Sequence, residues 1–234
     1  MDTGWAEGAR VAARPLRRCR VLDLGLAPYG ETLRRQEALV ADRLVGRVPD
    51  TLILVEHPPV VTLGRAKAPT NLVLSPEALR ARGIEFFEIS RGGDATYHAP
   101  GQLVGYPIFD LRDHGRDVLR FCRGLEHSLI GALAEFGVEA AAVPGKAGVW
   151  VDRKKIASLG VSLRRWVTFH GFALNISTDL AGFQVIRPCG EEAGVMTSLA
   201  ALLGRPVAVG EAKGRVLERL MRTFGFDEMA AVSP

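Results

Sequence analysis

Gln102-Leu-Val-Gly-Tyr-Pro-Ile-Phe-Asp-Leu111 reads as an apolar strand, and the clearest helix in the chain follows it. In that helix Val118, Cys122, Leu125, Leu129, Leu133 and Phe136 recur in steps of three or four, which gathers them on one face. Upstream, a glycine-rich turn separates the strand from another at 84–89, and Thr51-Leu-Ile-Leu-Val-Glu56 is a compact, β-branched buried strand ended by His57-Pro-Pro59. Residues 20–24 alternate like a short strand. Tyr29, Leu33, Val40, Leu44 and Val48 then recur at helical spacing. Ser75-Pro76-Glu77 carries an N-cap followed by proline at the first helical position, and this short helix stops near Gly83. Downstream, strand-like segments lie at 149–151, 156–163 and 172–176, and a last helix at about 211–224 buries Val216, Leu220 and Phe224. Strand runs mixed with four helices predict an α+β protein with a mixed, largely antiparallel sheet and helices packed on it. The expected organisation is a flexible basic N-terminal arm (1–19), one catalytic domain (20–226) and a C-terminal tail (227–234).

Composition narrows the class. The chain has 234 residues, 47% of them hydrophobic, with 26 Gly and 13 Pro, which excludes disorder, a collagen-like repeat and a disulfide-dense miniprotein. A chain of this length buries roughly 70–75% of its unfolded surface and needs no metal or disulfide to fold. Cys19, Cys122 and Cys189 are odd in number and far apart, without a CxxC pair, so neither a disulfide framework nor structural zinc is expected and the cytoplasm fits. The longest uncharged stretch, 95–109, is interrupted by two prolines and two glycines and falls short of the ~20 apolar residues of a membrane span. The net charge of +4 is too weak to argue for nucleic acid.

Cys122 lies on an apolar helix stripe and reads as a small core residue. Cys19 stands among Arg17, Arg18 and Arg20, with no other polar group converging there. Cys189 sits in Ile186-Arg-Pro-Cys-Gly190, an irregular turn where a thiol can be exposed and amide N–H groups can receive an oxyanion; an inert turn cysteine is the plainer alternative. The chain has 25 Arg and only 5 Lys, yet Lys154 and Lys155 stand together in Asp152-Arg-Lys-Lys-Ile156. Arginine keeps its proton near neutral pH, whereas a partly buried lysine can act as an acid or base. Two solvated charges at a hairpin turn would be the bland reading. Arg91-Gly-Gly-Asp-Ala-Thr-Tyr-His-Ala-Pro-Gly-Gln102 is the densest polar cluster, and its glycines would let backbone approach a ligand. It lacks the spacing of a Walker loop or a dinucleotide fingerprint. His170-Gly-Phe-Ala-Leu-Asn175 is a second polar-glycine cluster; singly, His57, His98 and His170 read as structural.

Taken together, Arg91 to Val104, Gly148-Val-Trp-Val151, Lys155-Ile-Ala-Ser-Leu-Gly160, His170 to Asn175 and Pro188-Cys-Gly190 resemble, in order and spacing, the octanoyltransferases of lipoate biosynthesis. Glu56-His-Pro-Pro59, Leu63-Gly-Arg65 and Asn71-Leu72 resemble that family's earlier blocks, and the likeness covers about 21–203. The resemblance implies a biotin/lipoate protein ligase-like fold. It implies a thioester-forming nucleophile at Cys189 and a proton-handling partner at Lys155. It also implies an acyl pocket lined by Arg91, Gly92, Gly93, Asp94, Ala95, Thr96, Tyr97, His98, Ser158, Leu159, Gly160, Gly171, Phe172 and Ala173. The implied reaction moves octanoyl from acyl carrier protein to a lysine of lipoyl domains, in 2-oxoacid dehydrogenase complexes and the glycine cleavage H protein, by a monomer without metal or cofactor. Ala99 and Glu191 depart from the family pattern, where glycine and an apolar residue are common. The alternatives are an ATP-dependent lipoate or biotin ligase, and a non-catalytic module that binds carrier protein or lipoyl domain.

Overall fold

The computed structural model describes residues 16–66, 71–188 and 193–232. In chain order the elements are β1 (Arg18–Leu26), α1 (Tyr29–Leu44), β2 (Asp50–Glu56), β3 (Val60–Leu63), α2 (Pro76–Ala81), β4 (Glu85–Glu88) and β5 (Ala95–His98). There follow β6 (Gln102–Ile108), α3 (Val118–Ala134), β7 (Ala141–Val143), β8 (Lys146–Val151), β9 (Lys154–Arg164), β10 (Val167–Asn175), α4 (Leu199–Leu203), α5 (Val209–Phe224) and β11 (Glu228–Val232). Eight strands form one sheet in the order β11-β1-β2-β6-β10-β9-β8-β7, and β4-β3-β5 form a second, smaller one. In the large sheet β1 pairs parallel with β2 and β11, and every other pairing is antiparallel.

The period of two along the central strands divides the core. Leu52, Leu54, Leu103, Phe172 and Leu174 face α3 and α5, where Leu125, Leu129, Val216 and Leu220 cover them. Ile53, Val55, Val104, Tyr106 and Ala173 face the opposite way, under Tyr29, Leu39 and Val40 of α1. Covered on both sides, β6 and β10 are buried along their whole length, which is why their sequences read as apolar runs rather than as alternation. Val61, Leu63, Tyr97, Leu79 and Phe183 make a third cluster around the small sheet.

Caps set the helix limits. Ser75 Oγ accepts the Ala78 N–H and Asp117 accepts the Arg120 N–H, fixing the starts of α2 and α3. α1 ends at Leu44 rather than reaching Val48, because Gly46 takes a left-handed φ of 73°. The two termini differ from expectation. Arg18 and Cys19, placed in a flexible arm, belong to β1, and Glu228–Val232, placed in a tail, is β11. The two are registered Arg18 to Glu228, and Arg17 N–H donates to Asp227 Oδ2 at 2.8 Å. Residues 1–15 of the expected arm lie outside the described residues. No helix among the described residues is long and apolar enough to cross a membrane.

Candidate active site

Where β9 and β10 pass beneath the small sheet, a pocket opens. Twelve of the fourteen expected binding residues line it: Arg91, Gly93, Asp94, Ala95, Thr96, His98, Ser158, Leu159, Gly160, Gly171, Phe172 and Ala173. The other two lie elsewhere. Tyr97 turns its ring T-shaped against Phe183, 5.4 Å away, in the third core cluster. Gly92 works through its backbone: its N–H donates to Val161 O at 3.1 Å, strapping the 91–93 segment across β9. That close pass needs glycine at 160, where a Cβ would stand 2.8 Å from Gly92 O and 3.0 Å from Arg91 Cδ. Ala99, a departure from the family pattern, is buried in the third cluster.

Lys155 also lines the pocket, and only 4% of it is exposed, whereas the neighbouring Lys154 is exposed. A tight turn at Asp152, with φ of 54°, sets the register that pairs Trp150 with Lys155, and the ammonium lies 5.4 Å from the Trp150 ring centroid. Its side chain runs toward Gly148, where a Cβ would stand 2.7 Å from Lys155 Cε and collide with Ala157 O. Gly148, at φ of 121°, leaves the room the lysine occupies. Cys189 lies outside the described residues, as do Gly190 and Glu191. The described residues on either side reach the same place: Pro188 lines the pocket and Met196 bridges to Lys155. The two described cysteines are unsuited to nucleophilic work. Burial, with Asp50 nearby, drives the Cys19 thiol far above its ordinary range, and burial beside Glu126 pushes Cys122 up to about 11.

Sequence reasoning missed Tyr29, Val104, Tyr106, His170 and Pro188, all of which line the pocket. Val104 and Tyr106 share strand parity on the α1 face, a signal that could have found them. The end of the pocket beneath α1 is polar but uncharged in its imidazoles. Burial lowers His57 to about 4 and His98 to about 3; burial, then the Arg91 and Arg65 charges, lower His170 to about 3. Neutral His57 donates from Nδ1 to Ala27 O at 2.7 Å and accepts the Tyr106 O–H on Nε2 at 2.8 Å. A second chain fixes His98. Asn175 Nδ2 donates to Thr197 O, Gln102 Nε2 donates to Asn175 Oδ1, and His98 Nδ1 donates to Gln102 Oε1 at 2.7 Å. Thr197 N–H in turn donates to Lys155 O, so one network ties the histidine end to the lysine strand. Arg91, also buried, donates to both oxygens of Thr62. Asp94 accepts from Asn71 on Oδ2, while its Oδ1 has no hydrogen-bond partner. Among the described residues no three His, Cys, Asp or Glu side chains converge as a metal site requires.

Both the sequence and the fold have known counterparts. The family described as "Lipoyl protein ligase A/B catalytic domain" matches residues 28–221. A solved lipoate-protein ligase A bound with ATP superposes with a TM-score of 0.74 at 17% identity, covering 93% of this chain and 89% of that one. A biotin protein ligase from Aquifex aeolicus, in complex with biotin and ATP, superposes with a TM-score of 0.55 at 14% identity, covering 89% of this chain and 71% of its own. At those identities they show a shared biotin/lipoate protein ligase-like fold. The octanoyltransferase of Solibacter usitatus is 48% identical over 218 residues, 93% of this chain and 98% of that protein. The chain belongs to the lipoyl protein ligase A/B catalytic-domain family, among its octanoyltransferases, and is an acyltransferase.

Proposed function

We propose that this enzyme transfers octanoyl from acyl carrier protein, through a thioester on Cys189, to a lysine of lipoyl domains in the cytoplasm. The observation that carries the reading is the pocket itself, with buried Lys155 and Pro188, the neighbour of Cys189, in one lining. The octanoyl group is the one its 48%-identical relative is named for. A lipoyl-domain acceptor accords with an archaeal lipoate protein ligase of the same fold, solved as part of a system with its E2 lipoyl domain.

In the first half, Cys189 thiolate adds to the carrier's thioester carbonyl, and the carrier thiolate departs. The Lys155 ammonium favours the Cys189 thiolate and then gives its proton to the departing carrier sulfur, becoming a neutral amine. In the second half the acceptor lysine, arriving as free amine, adds to the octanoyl-Cys189 carbonyl and Cys189 thiolate leaves. The proton shed by the new amide nitrogen goes to Lys155, which restores the starting state. One thioester replaces another in the first half and an amide forms in the second, so the cycle runs downhill without ATP, metal or another cofactor. The ligase-like fold offers the one competing chemistry, an acyl-adenylate. Incubation with octanoyl-carrier protein and no ATP is expected to add a hydroxylamine-sensitive octanoyl mass to the wild-type protein but not to Cys189→Ala. An adduct that survives in Cys189→Ala, or transfer that requires ATP, sinks the proposal.

A further inference from the structure

His170 is unlike its neighbours in β10. Its backbone φ is 56°, left-handed, although it is not glycine and lies within a continuous strand. Alternation would send its side chain to the face opposite Phe169; instead the two rings lie 4.8 Å apart on the same side, and the imidazole lines the pocket. The twist is held from outside the strand, since the His170 N–H donates to Gln36 Oε1 of α1 at 2.8 Å. Strain of this kind persists where the surroundings impose it, and here it delivers a polar ring into the pocket lining. That ring is 2% exposed, and neither Nδ1 nor Nε2 has a hydrogen-bond partner.

Its position along the pocket gives the ring a meaning. His170 stands opposite Val161 in the β9–β10 register, and the Lys155 side chain runs up to the level of Ala157. Four strand residues, about 13 Å, separate those levels. An extended acyl chain advancing ~1.2 Å per bond, like an extended backbone, covers about 8 Å from the C1 carbonyl to the C8 methyl, and van der Waals contact at the two ends takes up the rest. We infer that His170 determines acyl-chain length, its imidazole forming a polar floor that an octanoyl chain just reaches. A longer chain would have to press methylenes onto two buried ring nitrogens that already lack partners, or displace the ring. The inference rests on the octanoyl-transfer reading and deepens it.

Carrier protein loaded with octanoyl, nonanoyl, decanoyl or 8-hydroxyoctanoyl groups tests it, with transfer to a lipoyl domain read as kcat/KM. In the wild-type protein 8-hydroxyoctanoyl is expected to outpace nonanoyl, which has the same heavy-atom count but a methyl where the hydroxyl would meet the ring. His170→Gly, which relieves the backbone and removes the ring, is expected to raise the decanoyl-to-octanoyl ratio about tenfold. His170→Asn, polar and tolerant of the left-handed backbone, is expected to hold that ratio at the wild-type level. Nonanoyl outpacing 8-hydroxyoctanoyl overturns the polar floor, as does an Asn variant as relaxed as the Gly variant. A working His170→Gly protein with the wild-type ratio overturns it as well. Wild-type protein that transfers no acyl group from any carrier sinks the proposed function first, and this inference with it.

Discussion

Lys155 and Lys154 are adjacent and chemically identical, and only their environments separate them. Register places Lys155 opposite Trp150 and under the pocket, while Lys154 opposite Val151 stays in solvent. Burial is what can bring a lysine's pKa down toward neutrality, so the distinction bears on the proposed proton transfer. Lys155→Arg isolates it, because arginine keeps the positive charge yet cannot give up its proton. Both half-reactions are expected to slow in this variant, amide formation by about 10²–10⁴-fold, read by quenched-flow mass spectrometry. Unchanged rates in both halves would mean that Lys155 acts only as a charge. Residue-level prediction from sequence was uneven for physical reasons. The scarcity of lysine drew attention to the 154–155 pair, and the glycine-rich motif pointed to the cleft. Nothing in periodicity marks a left-handed backbone, so His170 read as an ordinary structural histidine.

At the level of elements, the long amphipathic helices and the buried strands were legible because each carries its own repeat. α3 appears where the Val118-to-Phe136 stripe predicts it, ending at Ala134, with Gly137 left-handed just beyond. Its start rests on one side chain: Asp117→Ala removes the acceptor of the Arg120 N–H, which is expected to lower stability by ~1 kcal/mol. The corresponding fall in Tm is about 2–4 °C. An unchanged Tm would show that the solvent replaces the cap at no loss. Short strands were harder. β3 and β5 have four residues each, too few for alternation to show, and β5 lies inside the motif read as a glycine-rich turn. β11 was invisible because its partner is distant in sequence, and a strand defined by a remote edge has little local signature.

Across the whole molecule, three neutral imidazoles buried around one pocket make stability depend on pH. His57, His98 and His170 sit at about 4, 3 and 3 when folded, against 6.5 ordinarily. Above pH 6.5 neither the folded nor the unfolded chain protonates them, and their contribution is constant. Below it the unfolded chain takes up protons that the folded one refuses, so stability is lost as pH falls from 6.5 toward 3–4. Thermal unfolding is expected to shift steadily downward between pH 7 and pH 4.5; a flat profile across that range would contradict the buried neutral state. The pairing of β1 with β11 bears on how the molecule is made. Arg18 and Glu228 are separated by 210 positions. At ~5–20 residues per second on the ribosome, β1 emerges roughly 10–40 s before the strand that will cover its outer edge. Throughout that interval nascent chains present an unpaired strand edge to one another, which makes the crowded polysome the setting where misassembly competes most directly with folding.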